Sequence, residues 1–251
     1  MTAYRAQRLW LTSAAAGRIY WRRWIRSRDP LAVLVFAGIL CFYDASAKAG
    51  DTPSPWWSIV VFLAAWSGFL AGYDTYERLR SDGSLRLIVL RGAPRLGIAL
   101  GFAGAATATA LLAVALAVMF LLLTGRTVVS ADTLIVLAGG CVAAAGTVTY
   151  AQCMSLVLPK DTAAVLGVLA LVFGASAFDR WLPPGTPESV RALVHGLWSS
   201  IPTTYRLSQF AAGHARVSNV AVMLLQAGVG LAACGLLLNR PALLARTRSE
   251  G

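Results

Sequence analysis

The side chains able to do chemistry in this sequence are few and scattered. A serine nucleophile needs a base within hydrogen-bond reach. Ser176 falls inside an apolar stretch, but the two histidines, His195 and His214, lie beyond it. A zinc site needs at least three ligands at suitable spacing, and these two histidines do not supply them. The four cysteines, Cys41, Cys141, Cys153 and Cys234, all fall in apolar runs without metal-ligand spacing and read as small packing residues. Neither lysine, Lys48 or Lys160, sits in a Gly-x-x-x-x-Gly-Lys-Ser/Thr phosphate loop. No catalytic residue, metal ligand or cofactor site is therefore assigned to this chain.

The uncharged polar residues are more suggestive. Thr149, Gln152 and Ser155 share one helical face, and Gln226 stands in another apolar run. Such groups either line a substrate path or hydrogen-bond a neighbouring helix. Asp44 and Asp74 stand near the ends of apolar runs, and no run carries a central charge. That pattern argues against a proton- or sodium-coupled carrier, which needs ionisable groups at depth.

The elements that must position these residues are membrane helices. The chain is 57% hydrophobic and 13% charged, with a mean hydropathy of +0.66, whereas soluble domains carry about 25% charged residues. Six runs approach the roughly 20 apolar residues that cross a bilayer: 31–47, 56–73, 96–123, 133–158, 163–177 and 220–238. The expected fold is an all-α integral membrane protein of six transmembrane helices (31–251). An amphipathic interfacial helix precedes them (1–30). A partly helical external segment, able to re-enter the membrane, separates helices 5 and 6 (178–219), and a short tail ends the chain (239–251). The first 30 residues have seven arginines but no long apolar core, so no cleavable leader is expected. With both termini inside, most of the 22 basic residues fall on the inner side, as the positive-inside rule requires. The basic balance thus needs no nucleic-acid partner. Trp56, Trp57, Trp181 and Trp198 fall at the expected outer interface, as an aromatic belt does.

Two segments between the spans stand out. In 1–30, Arg18, Arg22 and Arg26 form an i, i+4 stripe beside Trp21 and Trp24, a pattern suited to the anionic headgroup plane. It serves as a topology anchor or also touches a cytoplasmic partner. Segment 74–95 is too polar to span, yet it carries Leu85, Leu87, Ile88 and Val89. Ser81 and Asp82 are placed to cap a short helix after Gly83, and Pro94 punctuates the entry to the third span. Such a helix lies on the membrane or fits a groove on a partner. Gly97, Gly101 and Ala105 recur every four residues, a small-residue face for close packing within the chain or, less commonly, at a dimer seam.

Segment 74–95 resembles the coupling loop of ABC-2-type transporter permeases. There, an acidic residue after the second span leads into Gly-(Thr/Ser)-Leu-(Glu)-x-Leu-Leu, then a proline and a basic residue. Here Glu77 and Asp82 supply acids, Gly83-Ser84-Leu85 matches the core and Ile88-Val89 the apolar pair, with Arg95 as the basic residue. Arg86 replaces the usual glutamate, and Gly92 stands near the expected proline, displaced to Pro94. The Asp-Gly-Ser-Leu form is similar to that of bacterial haem-exporter membrane subunits. The resemblance extends to the six spans, the basic N-terminal helix and the long segment before the last span.

The resemblance implies an exporter subunit in the bacterial plasma (inner) membrane. A separate cytoplasmic ABC ATPase would bind ATP and magnesium and act on Glu77, Asp82, Gly83, Ser84, Leu85, Leu87, Ile88, Arg91 and Pro94. A second permease subunit, identical or related, would complete it. The other classes weighed are a non-transporting membrane subunit with an immunity or sensory role, and an intramembrane enzyme.

Overall fold

A computed structural model of the chain describes residues 2–27, 31, 35, 38, 56–90, 92–123, 131–175, 182–193 and 217–240. Among these residues the structure is helical, with no strands. The helices are α1 (Thr2–Arg26), α2 (Trp56–Gly72), α3 (Thr75–Ser81), α4 (Ser84–Leu90), α5 (Arg95–Leu123), α6 (Ala131–Val157), α7 (Lys160–Ala175) and α8 (Val217–Leu237). Most of the expected first span, of the external segment and of the tail lies outside the described residues, as do Ser176, His195 and His214.

Among the described residues, three helices are long and apolar enough to cross a membrane: α5 over Arg95–Phe120, α6 over Leu137–Val157 and α8 over Val220–Leu237. The helices at the second and fifth expected spans, α2 and α7, are apolar but shorter, at 17 and 16 residues. At 1.5 Å per residue each reaches only about 25 Å.

The long helices α5 and α6 pack together, and both α2 and α8 lie against the pair. Small residues set this geometry. A Cβ on Gly68 would stand 2.9 Å from the Ala144 carbonyl, and one on Gly72 would stand 2.8 Å from that of Val148. Glycine lets the α2 backbone seat on α6. Thr147 and Thr109 return their hydroxyls to their own helix, at Ala143 and Ala106, so these polar groups are satisfied without a partner helix.

The small-residue face of α5 is filled from within the chain. Gly97 and Gly101 receive α1, whose Ser13 hydroxyl donates to the Gly97 carbonyl at 3.0 Å. Ala16 and Tyr20 of α1 are buried there, while Arg18, Arg22 and Arg26 remain exposed. The N-terminal helix is thus docked by one face, with its basic stripe outward. Trp21 is exposed on that outer side, and Trp24 is half-buried and stacked on it at 5.6 Å.

Candidate functional site: the helical hairpin at one end of the bundle

Residues 74–90 and 92–95 form a hairpin of two short helices, α3 and α4, at one end of the bundle. Two left-handed glycines make its corners: Gly83 between the helices (φ +74°) and Gly92 before α5 (φ +68°). Only glycine adopts that conformation without strain. Asp82 caps α4, its Oδ1 accepting from the Ser84 amide at 2.9 Å and from the Ser84 hydroxyl at 2.6 Å. Ser81 instead turns its hydroxyl back to the Arg78 carbonyl. The Pro94 carbonyl accepts from the Ile98 amide, in the first turn of α5.

The hairpin is seated by its apolar side. Leu85 is 1% exposed and Val89, one turn later, is 9% exposed; both join Tyr76, Leu79, Ile98 and Phe102 in the core. Tyr76 meets Phe102 edge to face at 5.6 Å. Burial, with the nearby Cys234 and Cys153 thiols, raises the Tyr76 phenol well above its ordinary pKa, so it stays neutral. Leu87, by contrast, is 61% exposed, Arg86 beside it is exposed and Ile88 is half-buried. The apolar residues of α4 therefore divide by face: Leu85 and Val89 hold the helix down, and Leu87 is presented outward. Arg91 lies outside the described residues.

Polar contacts tie the hairpin to four other helices. Arg23 of α1 pairs with Asp82 at 2.6 Å and donates to the Ser84 hydroxyl at 2.8 Å. Arg8, also of α1, donates to the Gly92 carbonyl at 3.3 Å, and Tyr20 donates to the Ala71 carbonyl at 2.7 Å. The N-terminal helix thus straps both glycine corners. Arg80, with its side chain 7% exposed, donates to the Leu156 carbonyl at the end of α6 at 2.7 Å and pairs with Glu77 at 3.2 Å. Arg95 donates to the Leu238 carbonyl, just past α8, at 3.2 Å. Cations suit these positions because helix C-termini carry unsatisfied carbonyls and partial negative charge. Asp74, buried at the end of α2, pairs with Arg78, and Lys160 at the start of α7 stands 3.9 Å from it.

For Asp82, burial pushes the carboxyl up, but the two Ser84 hydrogen bonds and the Arg23 guanidinium outweigh it and hold the pKa below the ordinary value. A half-open cleft of about 360 Å³, counting the space at its mouth, lies where α1 crosses the hairpin, between Tyr20, Arg23, Trp24, Asp74, Arg78 and Phe102.

The polar face of α6 meets the hairpin from inside. Thr149, Gln152 and Ser155 are all buried. The Ser155 hydroxyl accepts from the Tyr76 amide at 3.3 Å and donates to the Gln152 carbonyl at 3.0 Å. Thr149 returns its hydroxyl to Gly146. Neither amide atom of Gln152 finds a partner among the described residues, nor does Oε1 of half-buried Gln226. Thus Ser155 packs against the hairpin, and Gln152 lies in the core without a described partner.

Arg8, Arg23 and Arg80 carry no site signal in the sequence. Each reads only as inner-side charge, and no local pattern tells a strap or a cap from a solvated arginine. Cys153 and Cys234 read as packing residues, yet the packing of α6 on α8 brings them into contact (3.0 Å between sulfurs). No protein-family model, curated protein or solved structure matches the chain. Among the described residues, fold and site together define a helical protein with helices able to cross a membrane and a strapped helical hairpin at one end.

Proposed function

We propose that this chain is the permease subunit of an ATP-driven ABC-2-type exporter, with the α3–α4 hairpin as the surface on which a separate cytoplasmic ATPase acts. Substrate moves outward when that ATPase, loaded with ATP and magnesium, closes beneath a pair of permease subunits. The chain sits in the bacterial plasma membrane with six spans and both termini inside. The carrying observation is the division of α4: Leu85 and Val89 anchor it in the core while Arg86 and Leu87 face outward. A push on Leu87 would reach α6 through Arg80 and α8 through Arg95, because those side chains hold the two helix ends. Leu85 then belongs to the seat of the hairpin and Leu87 to its contact surface.

The test is co-purification in mild detergent. Leu87→Asp should insert and fold normally yet lose the ATPase that accompanies the unaltered chain. Leu85→Asp should instead destabilise the protein itself, since it buries a charge without a partner. Undiminished ATPase recovery with Leu87→Asp would overturn the coupling role. Absence of any ATPase with the unaltered, folded chain would favour a non-transporting membrane subunit.

A further inference from the structure

We propose that Cys153 and Cys234 form a reversible intramolecular disulfide that fastens α6 to α8. The two sulfurs stand 3.0 Å apart, about 1 Å beyond a covalent S–S bond of ~2.05 Å. The contact is built by the surrounding helices. Gly230, one turn before Cys234, faces α6 so closely that a Cβ there would lie 2.8 Å from the Thr149 hydroxyl. That glycine lets the two helices approach closely beside the pair of sulfurs. The Cys153 thiol donates to the Gly230 carbonyl at 3.1 Å, and Cys234 faces the Thr149 carbonyl at 3.7 Å. Both thiols are thus oriented by the opposite helix and toward each other.

Their register along the helices is fixed as well. Cys153 lies one turn before the end of α6, which Arg80 holds at Leu156, and Cys234 one turn before Leu238, which Arg95 holds. Both clamps arise from the hairpin segment, so the thiols meet whenever it is seated. Cys141 is exposed on α6, three turns from this contact.

The chemistry balances with a peroxide as oxidant. One thiol, as thiolate, attacks a peroxide oxygen, the O–O bond breaks and a sulfenic acid forms with loss of water. The second thiol displaces the sulfenic oxygen as a second water, leaving the S–S bond. In sum, two thiols and hydrogen peroxide give one disulfide and two waters. Hydrogen peroxide is small and uncharged, and Cys153 is only half-buried, so the oxidant can reach the pair. A dithiol reductant reverses the bond by exchange. The oxidised form holds α6 and α8 together at the hairpin end, whatever the chain transports.

The experiment uses the full chain in native membranes with Cys41 and Cys141 replaced by serine. The membranes are treated with hydrogen peroxide or left untreated, denatured in detergent and labelled with a maleimide–polyethylene glycol that adds mass to each free thiol. Two adducts are expected before oxidation, none after it and two again after dithiothreitol. With Cys153→Ser or Cys234→Ser added, the remaining thiol should stay reactive through the same treatment. Two reactive thiols after oxidation would overturn the proposal. So would equal loss in the single-thiol variants, which would mean over-oxidation instead of pairing. Should the serine background fail to insert, mass spectrometry of proteolysed, oxidised wild-type chain decides: a peptide pair joined through Cys153 and Cys234 supports the disulfide, and its absence rejects it.

Discussion

At the scale of single residues, the buried polar groups carry the most information. Arg80 is almost wholly enclosed, yet its guanidinium is matched by the Leu156 carbonyl and the Glu77 carboxylate. Removing it leaves a helix-end carbonyl without its charged donor, which costs about 1.5–3 kcal/mol. Arg80→Met, which keeps most of the apolar stem, should therefore lower the thermal unfolding midpoint in detergent, and an unchanged midpoint would show that the Leu156 cap is idle. Gln152 is the opposite case. Its amide is fully buried and neither end is paired among the described residues, an arrangement that costs roughly 1–3 kcal/mol. Gln152→Met is nearly isosteric and should raise the midpoint; a fall would reveal a partner for the amide. At the exposed corner, the Asp82–Arg23 pair is worth at most about 1 kcal/mol because water screens it. Its pH dependence has a definite sign. The carboxyl is held below its ordinary value of about 3.9, so its contribution is complete above that value and is lost as pH falls through the lower folded pKa. Hydrogen exchange of residues 82–90, corrected for intrinsic rates, should thus show constant protection from pH 5 to 8. Loosening within that range would point to a different titrating group.

Helices dock here through glycine, and α1 on α5 is the sharpest instance. A Cβ added to Gly101 would collide with the Ser13 carbonyl and stand 2.7 Å from the Ala16 Cβ, whereas one added to Gly104, on the open side of the same helix, meets nothing within 4 Å. Gly101→Leu should cost the ~1–3 kcal/mol typical of overpacking and lift and loosen α1, so that trypsin cleaves faster at its arginines. Gly104→Leu should cleave like the parent; equal rates in the two variants would refute the docking. The elements were readable in the sequence to different depths. α5, α6 and α8 are legible because each is a long apolar run, and the four-residue recurrence of Gly97, Gly101 and Ala105 announces a packing face. What fills that face is not legible, because α1 meets it across some 84 residues of chain, as in the Ser13–Gly97 bond. The cap of α4 by Asp82 could be read from neighbours in sequence. The separation of Leu85 from Leu87 could not, because it depends on where Tyr76 and Phe102 lie. Cys153 and Cys234 looked like packing residues for the same reason: their contact exists only once α6 and α8 are side by side.

For the whole molecule, the decisive feature is that several helix ends meet at one place. The end of α2, the hairpin, the start of α5, the turn between α6 and α7 and the end of α8 are joined by the Arg80, Arg95 and Lys160 contacts. Arg8 and Arg23 of α1 reach the same end, which therefore concentrates positive charge. The inner leaflet attracts such charge, and basic segments are retained on that side. The proposed topology of six spans with both termini inside would turn this end to the cytoplasm and the segment before the last span outward. Single cysteines in a cysteine-free chain test the arrangement. Ser81, Asn239 and Glu188 are exposed positions, the first two at the charged end and the third before α8. In intact spheroplasts, a membrane-impermeant maleimide should label Glu188→Cys at once, and label Ser81→Cys and Asn239→Cys only after permeabilisation. Labelling of Glu188→Cys and Ser81→Cys from the same side would break the six-span topology, because an odd number of crossings must separate them. Labelling of Ser81→Cys and Asn239→Cys from outside alone would invert it and remove the hairpin from reach of any cytoplasmic ATPase.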